Sequence, residues 1–298
     1  MAIMQQLELR EQGVDLDAAP PPRPRRRRLL PFSPWHILLM PLALLFALPL
    51  VQMVLTSFMT DAEINSFPPR FIPTSINLSG YQGFFGDSLA PRWMLNTVIV
   101  ATISVVSHLI LCSLAGYGYA RLKFAGRNFG FFAIVGTIMI PTQLLMIPTY
   151  VLFSRLGIVN TLAAAFVPWL TSAFGIFLMR QFFLALPREL EEAGLIDGLT
   201  TFGVFRRIVL PLAKPALATL AVFTLLNSWN DLIWPLTAIS NQDNFTIQVG
   251  LTTFQGTRRT QWSELMAGNV IATMPLILGF LLAQRQFVAT MTFSGLKG

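Results

Sequence analysis

Charge, cysteine and lysine are scarce in this chain, and each scarcity narrows what it can be. Only 12% of its 298 residues are Asp, Glu, Lys or Arg, against 54% that are hydrophobic. The little charge there is leaves whole stretches bare: none falls in residues 29–60, 93–120, 128–154, 156–179 or 265–284. Each of these can supply the roughly 20 apolar residues that cross about 30 Å of hydrocarbon as a helix. The single cysteine, Cys112, excludes an intrachain disulfide and a cysteine-rich metal site. The two histidines, His36 and His108, are far apart in sequence and read as packing or interfacial groups rather than ligands. The three lysines, Lys123, Lys214 and Lys297, follow Leu, Ala and Leu, so the Gly-Lys-Ser/Thr of a phosphate loop is missing and the chain has no means of its own to hydrolyse ATP. Paired carboxylates, a metal cluster and a nucleophile triad are also missing, which argues against a membrane enzyme.

What the chain does have is membrane-crossing length. A sixth apolar stretch, about 211–239, is interrupted only by Lys214 and Asp231. Backbone groups in lipid must be satisfied within a helix or a closed barrel, and the short alternating strands of a barrel do not occur here. The expectation is an all-α polytopic membrane protein with six transmembrane helices. Basic residues set its orientation. With the N-terminus in the cytoplasm, the arginines before residue 29, Arg121, Lys123, Arg127, Arg180, Arg188, Arg206, Arg207, Lys214, Arg285 and Lys297 all lie inside. Only Arg70, Arg92, Arg155, Arg258 and Arg259 lie outside. Both termini are therefore expected in the cytoplasm of a multi-pass cell-membrane protein. The net charge of +7 follows from this bias and calls for no nucleic-acid partner. Residues 1–28 read as a disordered cytoplasmic tail, and 29–298 as the transmembrane domain. The apolar run after the tail is too long for a cleaved signal peptide.

One polar connection is longer than a turn requires. Residues 187–211 begin with Pro187, suited to the first position of a helix. Glu189, Glu191 and Glu192 come next, where acids complement the helix dipole. Leu190, Ala193 or Gly194, and Ile196 or Asp197 give the helix an apolar edge beside its acidic one. Gly198 is placed to end it, and Thr200 or Thr201 to cap a second short helix. Local physics fits both a plain surface helix and a part built to be gripped from outside the membrane.

Other polar segments also leave two readings open. The longer exterior segments, about 60–92 and 240–262, suit either solvent loops or contact with an external partner, the latter through Phe254, Gln255 and Gly256. Asn227, Ser228, Trp229, Asn230 and Asp231, followed by Trp234 and Pro235, are unusual for lipid. They suit a sugar pathway, since aromatic faces stack on sugar C–H surfaces while amides and acids pair with hydroxyls. They equally suit helix packing near the outer interface, with Trp229 and Trp234 as belt residues.

The spacing of the polar loop is distinctive: Glu192-Ala193-Gly194, three residues, Gly198, nine residues, Ile208, one residue, Leu210-Pro211. It resembles the cytoplasmic signature loop of binding-protein-dependent ABC importer permeases, with Gly194 where the family has alanine. Asn96-Thr97, Ala115-Gly116-Tyr117-Gly118-Tyr119-Ala120-Arg121, Ile140-Pro141-Thr142-Gln143, Ser228-Trp229-Asn230-Asp231 and the tail Ser294–Gly298 look like the carbohydrate branch, of the six-span maltose-importer type. The resemblance covers about residues 30–298. It implies the type I ABC importer permease architecture and a coupling loop at 186–210. Contact with the ATPase would fall to Glu191, Glu192, Ala193, Gly194, Asp197, Gly198, Ile208, Leu210 and Pro211, with Gly295–Gly298 reaching the same interface. The implied partners are a second permease subunit, two cytoplasmic ATPases that hold ATP and Mg, and an extracytoplasmic solute-binding protein. No cofactor is expected on this chain. The rival class is a self-sufficient secondary transporter or channel, but only Asp231 and His108 are ionisable candidates within the spans and no repeat is evident.

Overall fold

The computed structural model describes residues 35–86, 89–256 and 260–294, with side chains through residue 281. The tail 1–28, Arg258, Arg259 and Gly295–Gly298 lie outside the described residues. Among those described, the regular elements are helices, apart from one isolated bridge between Gln255 and Thr260.

The chain divides into two units, Met1–Leu48 and Pro49–Gly298. The described part of the first is the start of helix α1 (Trp35–Ser57), whose apolar side chains are almost all exposed there, as suits a helix solvated by lipid. The second unit is built around α2 (Ala90–Arg121), a helix of 32 residues. After it come α3 (Arg127–Gly136), α4 (Thr142–Arg155), α5 (Leu162–Phe166), α6 (Ala173–Ala185), α7 (Glu189–Ile196), α8 (Thr201–Val204), α9 (Lys214–Trp229), α10 (Ile233–Ala238), α11 (Ile247–Thr252) and α12 (Trp262–Ser294).

Three helices are long and apolar enough to cross a membrane unaided: Trp35–Ser57, Ala90–Arg121 and Trp262–Leu281. Three bent pairs pass the same test when each is taken together, Arg127–Met139 with Thr142–Arg155 at 102°, Leu162–Trp169 with Ala173–Ala185 at 41°, and Thr201–Leu212 with Lys214–Trp229 at 77°. Counting each pair as one crossing gives the six expected. Prolines account for the sharpest breaks. Pro141 pushes Ile140 into extended backbone, and Pro211 and Pro215 flank the bend at Ala213.

Two boundaries differ from the hydropathy reading. The fourth apolar run does not continue as helix from residue 156, because Gly157 and Asn160 both take left-handed backbone and make a turn before α5. The run 211–239 is not continuous helix either. α9 ends at Trp229 with Asn230 as its C-cap, and α10 begins only at Ile233. Pro235 has no N–H to bond the Asp231 carbonyl, so the helix cannot run through.

Helix α2 packs along α6 and α9. Its approach to α6 is close: a Cβ at Gly116 would stand 2.8 Å from Met179 Cβ and 2.9 Å from the Arg180 nitrogen. Small residues at such crossings let backbones pack where lipid supplies no hydrophobic drive. Two cores form along α2. One surrounds Trp93 with Phe84, Trp234, Ile247 and Phe254; the other surrounds Tyr117 with Met179, Phe183, Val204 and Phe205.

At the Trp93 end, α2 pins the 242–247 segment. Trp93 Nε1 donates to the Gln242 carbonyl at 2.9 Å, and Asn96 Nδ2 reaches both the Asp243 and Phe245 carbonyls at 2.9 Å. Thr97 Oγ1 accepts from the Ile247 N–H at 2.7 Å. The 60–86 segment is folded too. Thr60 and Glu63 form a capping box, and Asp61 Oδ1 accepts from both the Ser263 N–H and its hydroxyl at 3.0 Å. Glu63 also accepts from the Thr74 hydroxyl and backbone, and the bonds from the Thr74 hydroxyl first, then the Thr60 and Thr74 backbone, lower its carboxyl from 4.5 to about 2.

Candidate functional site

The polar loop folds as its sequence signals, with one shift. The first helical position is Glu189 rather than Pro187, and Arg188 is the N-cap of α7; its carbonyl accepts from Glu191 at 2.9 Å and Glu192 at 3.0 Å. Pro187 therefore lies just outside the helix. The other end closes as anticipated. Gly198 takes φ +84°, its N–H reaches the Leu195 carbonyl at 3.1 Å, and the Leu199 N–H reaches Gly194 at 3.0 Å. This pair of bonds is a Schellman cap, which needs left-handed backbone at the glycine. Thr200 then caps α8 by accepting from the Gly203 N–H at 3.1 Å. A π-helical turn, Phe205–Val209, leads back toward α9.

The loop has two faces. Glu192, Ala193, Asp197 and Gly198 lie toward the outside with Leu195, Phe202 and especially Ile196, which is 86% exposed. Glu191 turns the other way. Its carboxylate accepts from Arg121 Nε at 2.5 Å and from the Tyr117 hydroxyl at 3.0 Å, while Arg121 Nη2 donates to the Leu186 carbonyl at 2.7 Å. The paired side chains are only 8% and 12% exposed. Glu191 is thus committed within the chain and is not offered to a partner, correcting the expectation for it. Gly194 is also buried. A Cβ there would press on Ile208 Cδ1, the mobile end of a side chain that can move aside. Ile208 is half-buried against Gly194 under α7, Leu210 is half-buried against the Tyr117 core, and only Pro211 is exposed, so the contact surface is smaller than the sequence spacing suggested.

Sequence reasoning missed Arg121 and Tyr117, which lie 70 or more residues from Glu191 in the chain. It also passed over the exposure of Ile196 and Phe202. The Tyr117–Arg121 segment was visible only as part of a resemblance, and no local signal pairs it with a helix so far along the chain.

The break between α9 and α10 opens onto a cavity of about 410 Å³. Ser104 and His108 of α2, Thr142, Trp169, Thr171, Ser172, Phe174, and then Leu220, Phe223, Thr224, Asn227, Ser228 and Asp231 line it. Of the four residues expected along a pathway, Asn227 and Asp231 face this cavity. Asn230 lines an adjoining recess with Asp231 and Gln143, and its amide donates back to the Leu226 carbonyl at 2.9 Å. Trp229 faces elsewhere: it is buried, and its Nε1 donates to the Ala272 carbonyl at 3.0 Å, locking α9 to α12. Trp234 is not a belt residue. It is buried against Phe153, ring centroids 5.7 Å apart, and donates to the Ala164 carbonyl at 2.8 Å. Both indoles pack helices, so the two sequence readings divide residue by residue.

Of the residues expected to meet an external partner, Gln255 and Gly256 are exposed but Phe254 is not. Its ring is 6% exposed and meets Phe84 at 5.9 Å and Trp93 at 6.4 Å. It is a core residue holding the two longer segments together.

The family described as binding-protein-dependent transport system inner membrane component matches residues 109–292. The arabinooligosaccharides transport system permease protein AraQ of Halalkalibacterium halodurans is 36% identical over 260 residues, 86% of this chain and 93% of that protein. The sn-glycerol-3-phosphate transport system permease protein UgpE of Salmonella typhi is 33% identical, over 88% of this chain and 96% of that protein. A chain in the crystal structure of a bacterial ABC transporter that imports the acidic polysaccharide alginate shares the fold, with a TM-score of 0.75 and 23% identity over 86% of this chain and 99% of that one. The six crossings, the polar loop and near full-length similarity agree: this multi-pass membrane protein belongs to the family of binding-protein-dependent transport system inner membrane components, the permease subunits of ABC importers.

Proposed function

We propose that the chain moves a sugar or related solute, delivered by an extracytoplasmic binding protein, through a pathway shared with a second permease subunit. Two cytoplasmic ATPases holding ATP and Mg drive it. Their closure moves the α7 helices, tilts the bundles from inward-open to outward-open, and hydrolysis resets them. Both termini and the polar loop are cytoplasmic in this reading, residues 1–28 are a tail, and the permease proper is 29–298. The ATPase meets Glu192, Ala193, Asp197, Gly198 and Pro211, to which the exposed side chains of Ile196 and Phe202 are added. Gln255 and Gly256 face the binding protein.

The observation that carries this is the build of α7. It is closed at its C-terminal end by the Gly198 turn, fixed to α2 through Glu191, and leaves exposed apolar side chains beside an acid, a surface suited to a protein partner. Such a helix transmits force to α2, which lines the cavity beside the α9–α10 break. The solutes of two relatives, an arabino-oligosaccharide and a phosphate ester, leave the cargo as a polyhydroxylated molecule, neutral or anionic. Reconstitution tests the reading. Uptake into vesicles should require the ATPase, ATP and the binding protein together. Uptake by this chain without any ATPase would establish the rival carrier class.

A further inference from the structure

The cavity beside Asp231 has chemistry specific enough to choose between those two kinds of cargo. Asp231 is its single carboxylate, and neither Lys nor Arg is among the lining residues. One wall is aromatic: Phe174 and Phe223 meet edge to face with ring centroids 5.8 Å apart, and each remains 45% exposed. Another is polar, with Thr224 and Asn227 one turn apart on α9, neither side chain hydrogen-bonded among the described residues. His108 Nδ1 lies 2.8 Å from the Ser104 carbonyl. A carbonyl only accepts, so Nδ1 carries the proton and Nε2 is left for another partner. Trp169 adds a buried indole N–H without a hydrogen-bond partner among the described residues.

We propose that this cavity is a subsite for a neutral saccharide and that Asp231 is a specificity-determining residue that turns anionic solutes away. The proposal rests on the permease reading above and names its cargo class. A neutral sugar satisfies every wall: its C–H face covers the phenylalanines, while its hydroxyls donate to Asp231 and pair with Thr224, Asn227 and His108. A phosphate ester or uronate satisfies fewer. It brings a second negative charge into a poorly solvated space without a cation to meet it, where like charges repel more strongly than in water. The volume, about 410 Å³, is at the small end of ligand sites, which span roughly 300–1,000 Å³, and suits one or two sugar rings at a time.

The test uses the assembled permease–ATPase complex without binding protein, so that the binding protein's own selectivity plays no part. Thr224→Cys, and separately Asn227→Cys, is placed in a Cys112→Ala background and alkylated with a small maleimide. Lactose, sucrose and arabinobiose are compared with sn-glycerol 3-phosphate and galacturonate at equal millimolar concentration. At least one neutral sugar should slow alkylation, by about fivefold near saturation under the 1 + [L]/Kd relation. The anions should need about tenfold higher concentration for the same protection, and Asp231→Asn should remove most of that difference. An anion that protects as well as the best neutral sugar would overturn the proposal. So would protection by none of the probes, or a cavity closed to the maleimide at both positions. ATP-dependent uptake of the binding protein's own cargo is measured in parallel. Its persistence would leave the permease reading standing while the subsite fell.

Discussion

Arg121 Nε stands 2.5 Å from Glu191 Oε1, joining the last turn of α2 to the first turn of α7 across 70 residues of chain. Tyr117, one turn back on α2, completes the contact from the same face. Removing one partner of a buried ion pair leaves the other charged and unpaired, at a cost of about 3–5 kcal/mol, whereas replacing both with apolar groups is often close to neutral. Glu191→Ala and Arg121→Ala should each loosen the loop, read as faster proteolysis between 186 and 200. The double variant Arg121→Met/Glu191→Leu should resist proteolysis better than either. Its transport per ATP hydrolysed should stay lower than in the parent. A double variant more labile than both singles would show that the pair holds the loop by charge alone.

The exposed face of α7 should behave differently. Truncating one partner of a desolvated interfacial charge pair costs about 2–5 kcal/mol, so Glu192→Lys should reduce ATPase co-purification and abolish uptake without reducing membrane insertion. Gly198→Asp adds a penalty of roughly 1–2 kcal/mol for a side chain at φ +84°. Ile196→Asp should act like Glu192→Lys. Full ATPase occupancy and normal uptake in all three would remove this surface from the coupling path.

Orientation is open to direct measurement. In a Cys112→Ala background, cysteines at Ser75 and Gln242, both exposed, should react with an impermeant maleimide from outside. A cysteine at Thr200 should react only from inside. Reaction of Thr200 from outside would reverse the topology and remove the docking proposal with it.

The Asn96 amide serves two carbonyls, that of Phe245 buried and that of Asp243 partly so. Asn96→Leu should strand both, at about 1–3 kcal/mol for each group left unsatisfied. The expected readout is a lower Tm and faster hydrogen exchange across 242–254, with no change at the polar loop. Unchanged exchange in that segment would mean that Trp93 and Thr97 hold it unaided.

Glu63 gives a pH dependence with a definite sign. Hydrogen bonds from Thr74 and Thr60 lower its carboxyl to about 2, below its ordinary 4.5. Its contribution is therefore fully present above pH 4.5 and is lost as the pH falls through 4.5 toward 2. Backbone amides of Thr60 and Thr74 should keep their NMR shifts down to pH 4.5 and move only below it. Movement centred at the ordinary value would show that the capping box and the Thr74 contact do not form in solution.

The helical class, the number of crossings and the build of α7 were legible in the sequence because each depends on residues close together in the chain. Hydropathy is a sum over a local window, and the signals that cap α7 and α8, Gly198 and Thr200, act within a turn or two. The same locality explains what stayed hidden. Trp229, Trp234 and Phe254 looked like pathway, belt and contact residues because an exposed aromatic and a buried one have the same letter; their burial depends on Ala272, Phe153 and Phe84, in helices the sequence does not say will be neighbours. Glu191 and Glu192 are adjacent and chemically identical. Sequence determined that both would sit in the first turn of a short helix, where carboxylates are favoured. Only the packing of α7 against α2 decided that Glu191 would face Arg121 and Tyr117 while Glu192 faced outward, because successive residues on a helix point about 100° apart and just one of the two can lie at a given contact.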